Sequence, residues 1–110
     1  MNKFKYAFNG LKYVLKDKAV IIQLILGVLA IIGGLIIKLD YYEWLAFIIC
    51  IFVVIGSEAY NLIIEKICDF ISEEYDDKIK VIKDASAATT LIICVGALVI
   101  CIFVLIRRYI

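Results

Sequence analysis

Histidine and proline are both missing from the 110-residue sequence. Without histidine there is no imidazole general base, no Ser-His-Asp arrangement and no His-based metal cluster. Without proline, nothing in the apolar runs forces a helix to break. The four cysteines, Cys50, Cys68, Cys94 and Cys101, form no C-x-x-C pair. They lie in or beside apolar segments and read as small apolar fillers, not as disulfides or zinc ligands. No G-x-x-x-x-G-K-[ST] stretch or kinase-type glycine loop occurs, which excludes a soluble-type nucleotide fold. An excess of either charge is lacking as well. Twelve basic residues against eleven acidic ones leave +1, so nucleic acid is not an expected partner.

What the sequence has in excess is apolar surface. At 65% hydrophobic it exceeds soluble domains, which are usually near half, and its charges fall in blocks between oily runs. In residues 1–18, Phe4, Phe8, Leu11 and Leu15 recur at steps of four, three and four, with Lys3, Lys5, Lys12, Lys16 and Lys18 around them. That pattern predicts a basic amphipathic helix on an anionic membrane surface, weakened or bent at Gly10. Residues 19–37 carry one polar side chain, Gln23, and as a helix would cover about 28 Å, close to the hydrocarbon thickness. The run is longer than a signal peptide core and no clear cleavage site follows, so it is expected to remain in the mature chain.

A connector from Lys38 to Glu43 contains Tyr41 and Tyr42 and adjoins Trp44, the aromatic signature of a membrane boundary. The next apolar run, Trp44 to Ser57, is too short to cross, so the second span is expected at 44–64, through Glu58 and Asn61. Residues 65–84 are strongly charged and are expected to be a cytoplasmic segment. A third span follows at 85–106, opening on Ala85-Ser86-Ala87-Ala88-Thr89-Thr90, small residues that suit close helix packing. The fold class is therefore all-α: a surface helix plus three transmembrane helices in one domain, residues 1–110. Nine lysines in the N-terminal and 65–84 segments, against three basic residues in the connector and C-terminus, place the first two on the cytoplasmic side.

Glu58, Asn61, Glu65 and Asp69 follow one another at steps of three, four and four, within an arc of roughly 80° on one helix. A charge at the bilayer centre costs about 2.5–3.5 kcal/mol, less near the interface, so the stripe should face other helices or a wet cleft. Glu65 and Asp69 also suit an ordinary solvated helix end. Glu58 does not, since apolar residues precede it for a full span and Leu62-Ile63-Ile64 follow. An intramembrane carboxylate suits a general base or proton carrier. Lys83, beside Asp84 at the entrance to the third span, suits phosphate contact as well as interfacial snorkelling.

The run Glu58-x-x-Asn61-x-x-x-Glu65-x-x-x-Asp69, then Glu74-Tyr75, then Lys83-Asp84 before Ala85-Ser86-Ala87-Ala88, resembles the prokaryotic integral-membrane diacylglycerol kinases and their undecaprenol kinase relatives. The spacings match without a gap from Glu58 to Ala88, and the resemblance covers almost the whole chain, including Tyr6 and Gly10. It implies a homotrimer in the bacterial plasma membrane that transfers the ATP γ-phosphoryl group to a lipid hydroxyl, with Mg²⁺ as cofactor. By the same resemblance, Glu58 matches the catalytic base and Asn61 a residue orienting that base or the lipid. Glu65 matches a metal ligand that also contacts ATP. Tyr6, Glu74, Tyr75, Asp76, Lys83 and Asp84 match nucleotide contacts, and Glu58 and Ala87 lipid contacts. The family's second metal-binding glutamate falls on Lys18 in an ungapped match; a one-residue deletion brings Asp17 there, as a metal and ATP ligand. The family's N-T-A-I-E reads Asn61-Leu62-Ile63-Ile64-Glu65 here, bulkier at two positions. A small proton-coupled exporter using Glu58 is the alternative, although exporters of this length tend to have four spans.

Overall fold

The computed structural model describes residues 3–72 and 74–110. Met1 and Asn2 of the expected surface segment, and Glu73 of the charged run, lie outside the described residues. Four helices follow in order: α1 (Lys3–Val14), α2 (Lys18–Ile37), α3 (Tyr41–Ile71) and α4 (Asp77–Tyr109). There is no strand among the described residues. The last three helices are each long and apolar enough to cross a membrane. The all-α class with three spans is as the hydrophobic runs indicate.

Helix ends differ from the bounds that the hydrophobic runs indicate. The 65–84 segment is not a loop, because α3 continues to Ile71 and α4 begins at Asp77. The charged stretch is mostly two protruding helix ends joined by residues 72–76. The reason is length: 31 residues at 1.5 Å each give about 46 Å, well beyond a hydrocarbon core of about 30 Å. Once outside lipid, a helix tolerates charge as well as a loop does. Asp76 starts α4, its Oδ1 accepting from the backbone N–H groups of Lys78 at 2.8 Å and Ile79 at 3.3 Å. Likewise the surface helix stops at Val14, short of residue 18, and continues unbroken through Gly10. None of its described side chains is buried, and Phe4, Phe8 and Leu11 present an apolar stripe left largely exposed by the described residues.

The middle helix, α3, packs against α4 on one side and α2 on the other. On the α2 side the approach is close enough to need glycine. A Cβ on Gly27 would stand 3.0 Å from Ile51 Cγ2, and one on Gly34 would stand 2.8 Å from both Leu39 and Trp44. Few large side chains are fully enclosed and most apolar ones are exposed, as expected where lipid or a further subunit replaces water.

At the end opposite the 72–76 connector, all three spans meet at one guanidinium. Arg108 of α4 donates through Nη1 to Glu43 Oε1, and through Nη2 to the carbonyls of Ile37 and, at 2.6 Å, Lys38. Glu43 is almost fully buried and also closes a capping box at the start of α3. Its Oε1 accepts from the Asp40 N–H and its own N–H donates to Asp40 Oδ1, both at 2.9 Å. Lys38 ends α2 in the left-handed region at φ 59°, which turns its carbonyl toward Arg108. Removing the cation from a buried carboxylate leaves that charge uncompensated. Arg108→Met should therefore lower unfolding stability by about 3 kcal/mol, read from denaturation in mixed micelles. An unchanged stability would show that the clasp contributes nothing.

Candidate active site

Along α3 the acidic stripe is a continuous feature of one helix face. Glu58 and Asn61 are half-buried, whereas Glu65 and Asp69 are exposed. The deeper half of the stripe thus faces protein in part, which lowers the cost of a charge near lipid. Around Glu58 the charged and amide neighbours are Asp17 and Gln23 of the α2 side and Glu65 two turns on. Cys94 of α4 is a further neighbour. Glu58 thus sits where all three spans converge.

Asn61 lies on the seam between α3 and α4. Ser86 Oγ donates to Asn61 Oδ1 at 2.8 Å, and Asn61 Nδ2 donates to Glu65 Oε1 at 3.3 Å. Deeper in the seam, Thr90 Oγ1 donates to the Ser57 carbonyl at 3.3 Å, and Ser57 Oγ donates to the Val54 carbonyl at 2.7 Å. Ser57, Ser86 and Thr90 are all buried, and no buried side-chain nitrogen or oxygen lacks a partner among the described residues. The sequence reading missed these three. It took the Ala85–Thr90 run only as permission for close packing, although Ser86 and Thr90 stand four apart and so share a helix face. Beside the seam a groove of about 330 Å³ opens, lined by Tyr60, Asn61, Ser86 and Thr89 among apolar walls.

At the outer end, Lys83 Nζ meets Asp69 Oδ1 at 2.5 Å and ties α4 to α3. Asp84 pairs with Lys80 at 2.6 Å along α4. Both links are well exposed. Replacing Asp69 by Asn should leave the thermal unfolding midpoint essentially unmoved, since exposed pairs stabilise little. A clear drop in that midpoint would show that the pair holds the two helices together.

The remaining candidates are more scattered. Asp17 caps α2, its Oδ2 accepting from the N–H groups of Ala19 at 3.1 Å and Val20 at 3.3 Å, while its Oδ1 accepts no hydrogen bond from the described residues. Asp76 serves as the cap described above. Glu74 exchanges backbone hydrogen bonds with the Ser72 hydroxyl. Tyr75 is exposed; the Asp77 carboxylate beside its hydroxyl pushes the phenol above its ordinary pKa, with smaller contributions from desolvation and Asp84. Tyr6 on α1 and Ala87 on α4 are exposed and lie outside the hydrogen-bonded group around Asn61. One chain therefore assembles Asp17, Glu58, Asn61, Glu65, Asp69 and Lys83, and leaves Tyr6, Glu74 and Tyr75 at its surface.

The family described as prokaryotic diacylglycerol kinase matches residues 5–105. The chain belongs to that family. A search of curated proteins returns no match. Membership of the prokaryotic diacylglycerol kinases, with three apolar helices, makes the chain a multi-pass membrane protein and a lipid kinase in the general sense. Nothing in the structure or the family match supports a proton-coupled exporter.

For Mg²⁺, the donor set fits in kind. Asp17 and Glu65 are hard oxygen ligands, and each leaves one carboxylate oxygen without a hydrogen bond from the described residues. Among the described residues no three acidic, cysteine or histidine side chains gather closely enough to enclose an ion. That suits Mg²⁺, which is commonly held by one or two carboxylates plus substrate phosphates and not by an all-protein cage.

Proposed function

We propose that the chain transfers the γ-phosphoryl group of ATP to the hydroxyl of a membrane lipid, either diacylglycerol or undecaprenol. The observation that carries the reading is the single polar stripe on α3. It begins at half-buried Glu58 among the spans, passes through Asn61 and Glu65, and ends at the Asp69–Lys83 pair beyond the bilayer. An alcohol that lives in lipid and a nucleotide that lives in water can meet only along such a path.

In this reaction Glu58 takes the proton of the lipid hydroxyl as that oxygen attacks the γ-phosphorus, and the bond to the β-phosphate oxygen breaks to release ADP. Mg²⁺ would be held by Glu65 and Asp17, and when bound it neutralises phosphate charge. Asn61 orients Glu65 through its amide. Lys83 exchanges Asp69 for nucleotide phosphate, an easy exchange because the pair is exposed. Asp84, Asp76, Tyr75, Glu74 and Tyr6 would line the nucleotide's approach, and Ala87, with only a methyl group to obstruct, the lipid's. The positive-inside bias supports a cytoplasmic N-terminus and 72–76 connector, and thus a site facing cytoplasmic ATP. The bare stripe of α1 suits a seat on the membrane surface. A homotrimer is what the family resemblance implies, and the exposed apolar area of the spans offers surface for subunit contacts as well as for lipid.

Purified protein in detergent with labelled ATP and Mg²⁺ should phosphorylate at least one of the two lipids presented side by side. No labelled lipid from either would end the reading. Glu58→Gln should lower turnover on the order of 10²–10⁴-fold while ATP binding, measured separately, persists. Full turnover in that variant would remove Glu58 as the base.

A further inference from the structure

Ser86 is buried and has a single hydroxyl proton, which it donates to Asn61 Oδ1 at 2.8 Å. The two ends of an amide are almost the same shape, so packing alone does not choose between them. A donor on one side does. With its oxygen engaged by Ser86, Asn61 must present its NH₂ group along α3, where it donates to Glu65 Oε1 at 3.3 Å. The opposite orientation would set an amide oxygen against a carboxylate. Glu65 itself is exposed and has no other hydrogen bond among the described residues, so Asn61 is what restrains it.

We propose that Ser86 is a positioning residue. Acting through Asn61, it fixes the Glu65 carboxylate so that the free oxygen can engage a divalent cation carried by nucleotide phosphate. The proposal rests on the assignment of Glu65 as a metal ligand under the lipid kinase reading. Groups that orient a ligand typically govern metal affinity about 10–100-fold when removed. The fold does not hinge on Ser86, because Thr90 bonds the Ser57 carbonyl one turn deeper on the same face of α4. The variant is thus expected to fold.

The test compares Ser86→Ala and Ser86→Thr with the unaltered chain in detergent micelles. The sequence has only three asparagines, Asn2, Asn9 and Asn61, so selective ¹⁵N-asparagine labelling yields three side-chain amide signals. Asn61→Asp identifies the one that belongs to position 61. In Ser86→Ala that signal should shift or broaden, and the Mg²⁺ concentration giving half-maximal lipid phosphorylation should rise about tenfold. Turnover at saturating Mg²⁺ should stay within about twofold of the unaltered chain, as expected when only the hold on the ion is loosened. Ser86→Thr, which keeps the donor, should restore both readouts. An unmoved Asn61 signal would overturn the hydrogen-bond relay. A moved signal with unchanged Mg²⁺ dependence would overturn its bearing on the cation. If the unaltered chain phosphorylates no lipid, the functional reading fails and the role falls with it, whatever the amide signal does.

Discussion

Hydrocarbon offers polar side chains no partner, and that one constraint sets the rotation of α3. Ser57 and Asn61 fall within the apolar span that the sequence indicates, where hydrogen bonds must be found within protein. Asn61 bonds Ser86 of α4 and Glu65, the Ser57 hydroxyl bonds the Val54 carbonyl of its own helix, and Thr90 of α4 donates to the Ser57 carbonyl. Once that seam is fixed, the 100° advance per residue leaves no freedom for the rest of the helix. Glu58 follows Ser57 by one position and turns toward Asp17 and Gln23 on the α2 side. Glu65 follows Asn61 by one turn and comes within reach of its amide. The acidic stripe is aimed by its uncharged neighbours.

The two ends of the bundle are closed in opposite ways. At the Arg108 end, the guanidinium, the buried Glu43 carboxylate and two backbone carbonyls bring α2, α3 and α4 to one point. Opening it would part the buried Glu43 carboxylate from the cation that it is bonded to. At the other end, α3 and α4 are joined beyond the spans by the exposed Asp69–Lys83 pair and a five-residue connector. Water replaces either partner at little cost there. A bundle fixed at one end and lightly tied at the other can part at the lightly tied end without losing its packing. That is also the end where a charged, water-borne substrate would enter under the proposed reaction.

How much of this was legible in the sequence depends on the range of the interaction. The spans and the Glu58–Asp69 stripe were readable because they repeat within one helix, where periodicity alone fixes geometry. Arg108 and Glu43 were not, since they stand 65 positions apart and each passes for an ordinary interface residue. Ser86 and Thr90 were hidden by their size: small side chains suggest close backbones before they suggest donors. That most of the charged 65–84 stretch is helix was not legible, because charge was taken only to end a span. It does end the span. It does not end the helix, which continues with its backbone satisfied internally and its charges in water.

Carboxylates are also committed unevenly, and this bears on why the site is built from them. Asp17 gives one oxygen to the start of α2, and Glu65 gives one to Asn61. Each is therefore held in place by a group that leaves its second oxygen open. Glu58 lies within electrostatic reach of both, and like charges so placed repel. Water softens the repulsion, because Glu65 is exposed, and so does Lys83, whose ammonium lies within electrostatic reach of Glu65. In the proposed reaction a divalent cation held by Asp17 and Glu65 would offset the carboxylate charge, and a proton taken up by Glu58 would remove one of the three charges. Both changes lower the repulsion, so the placement of the carboxylates would favour them.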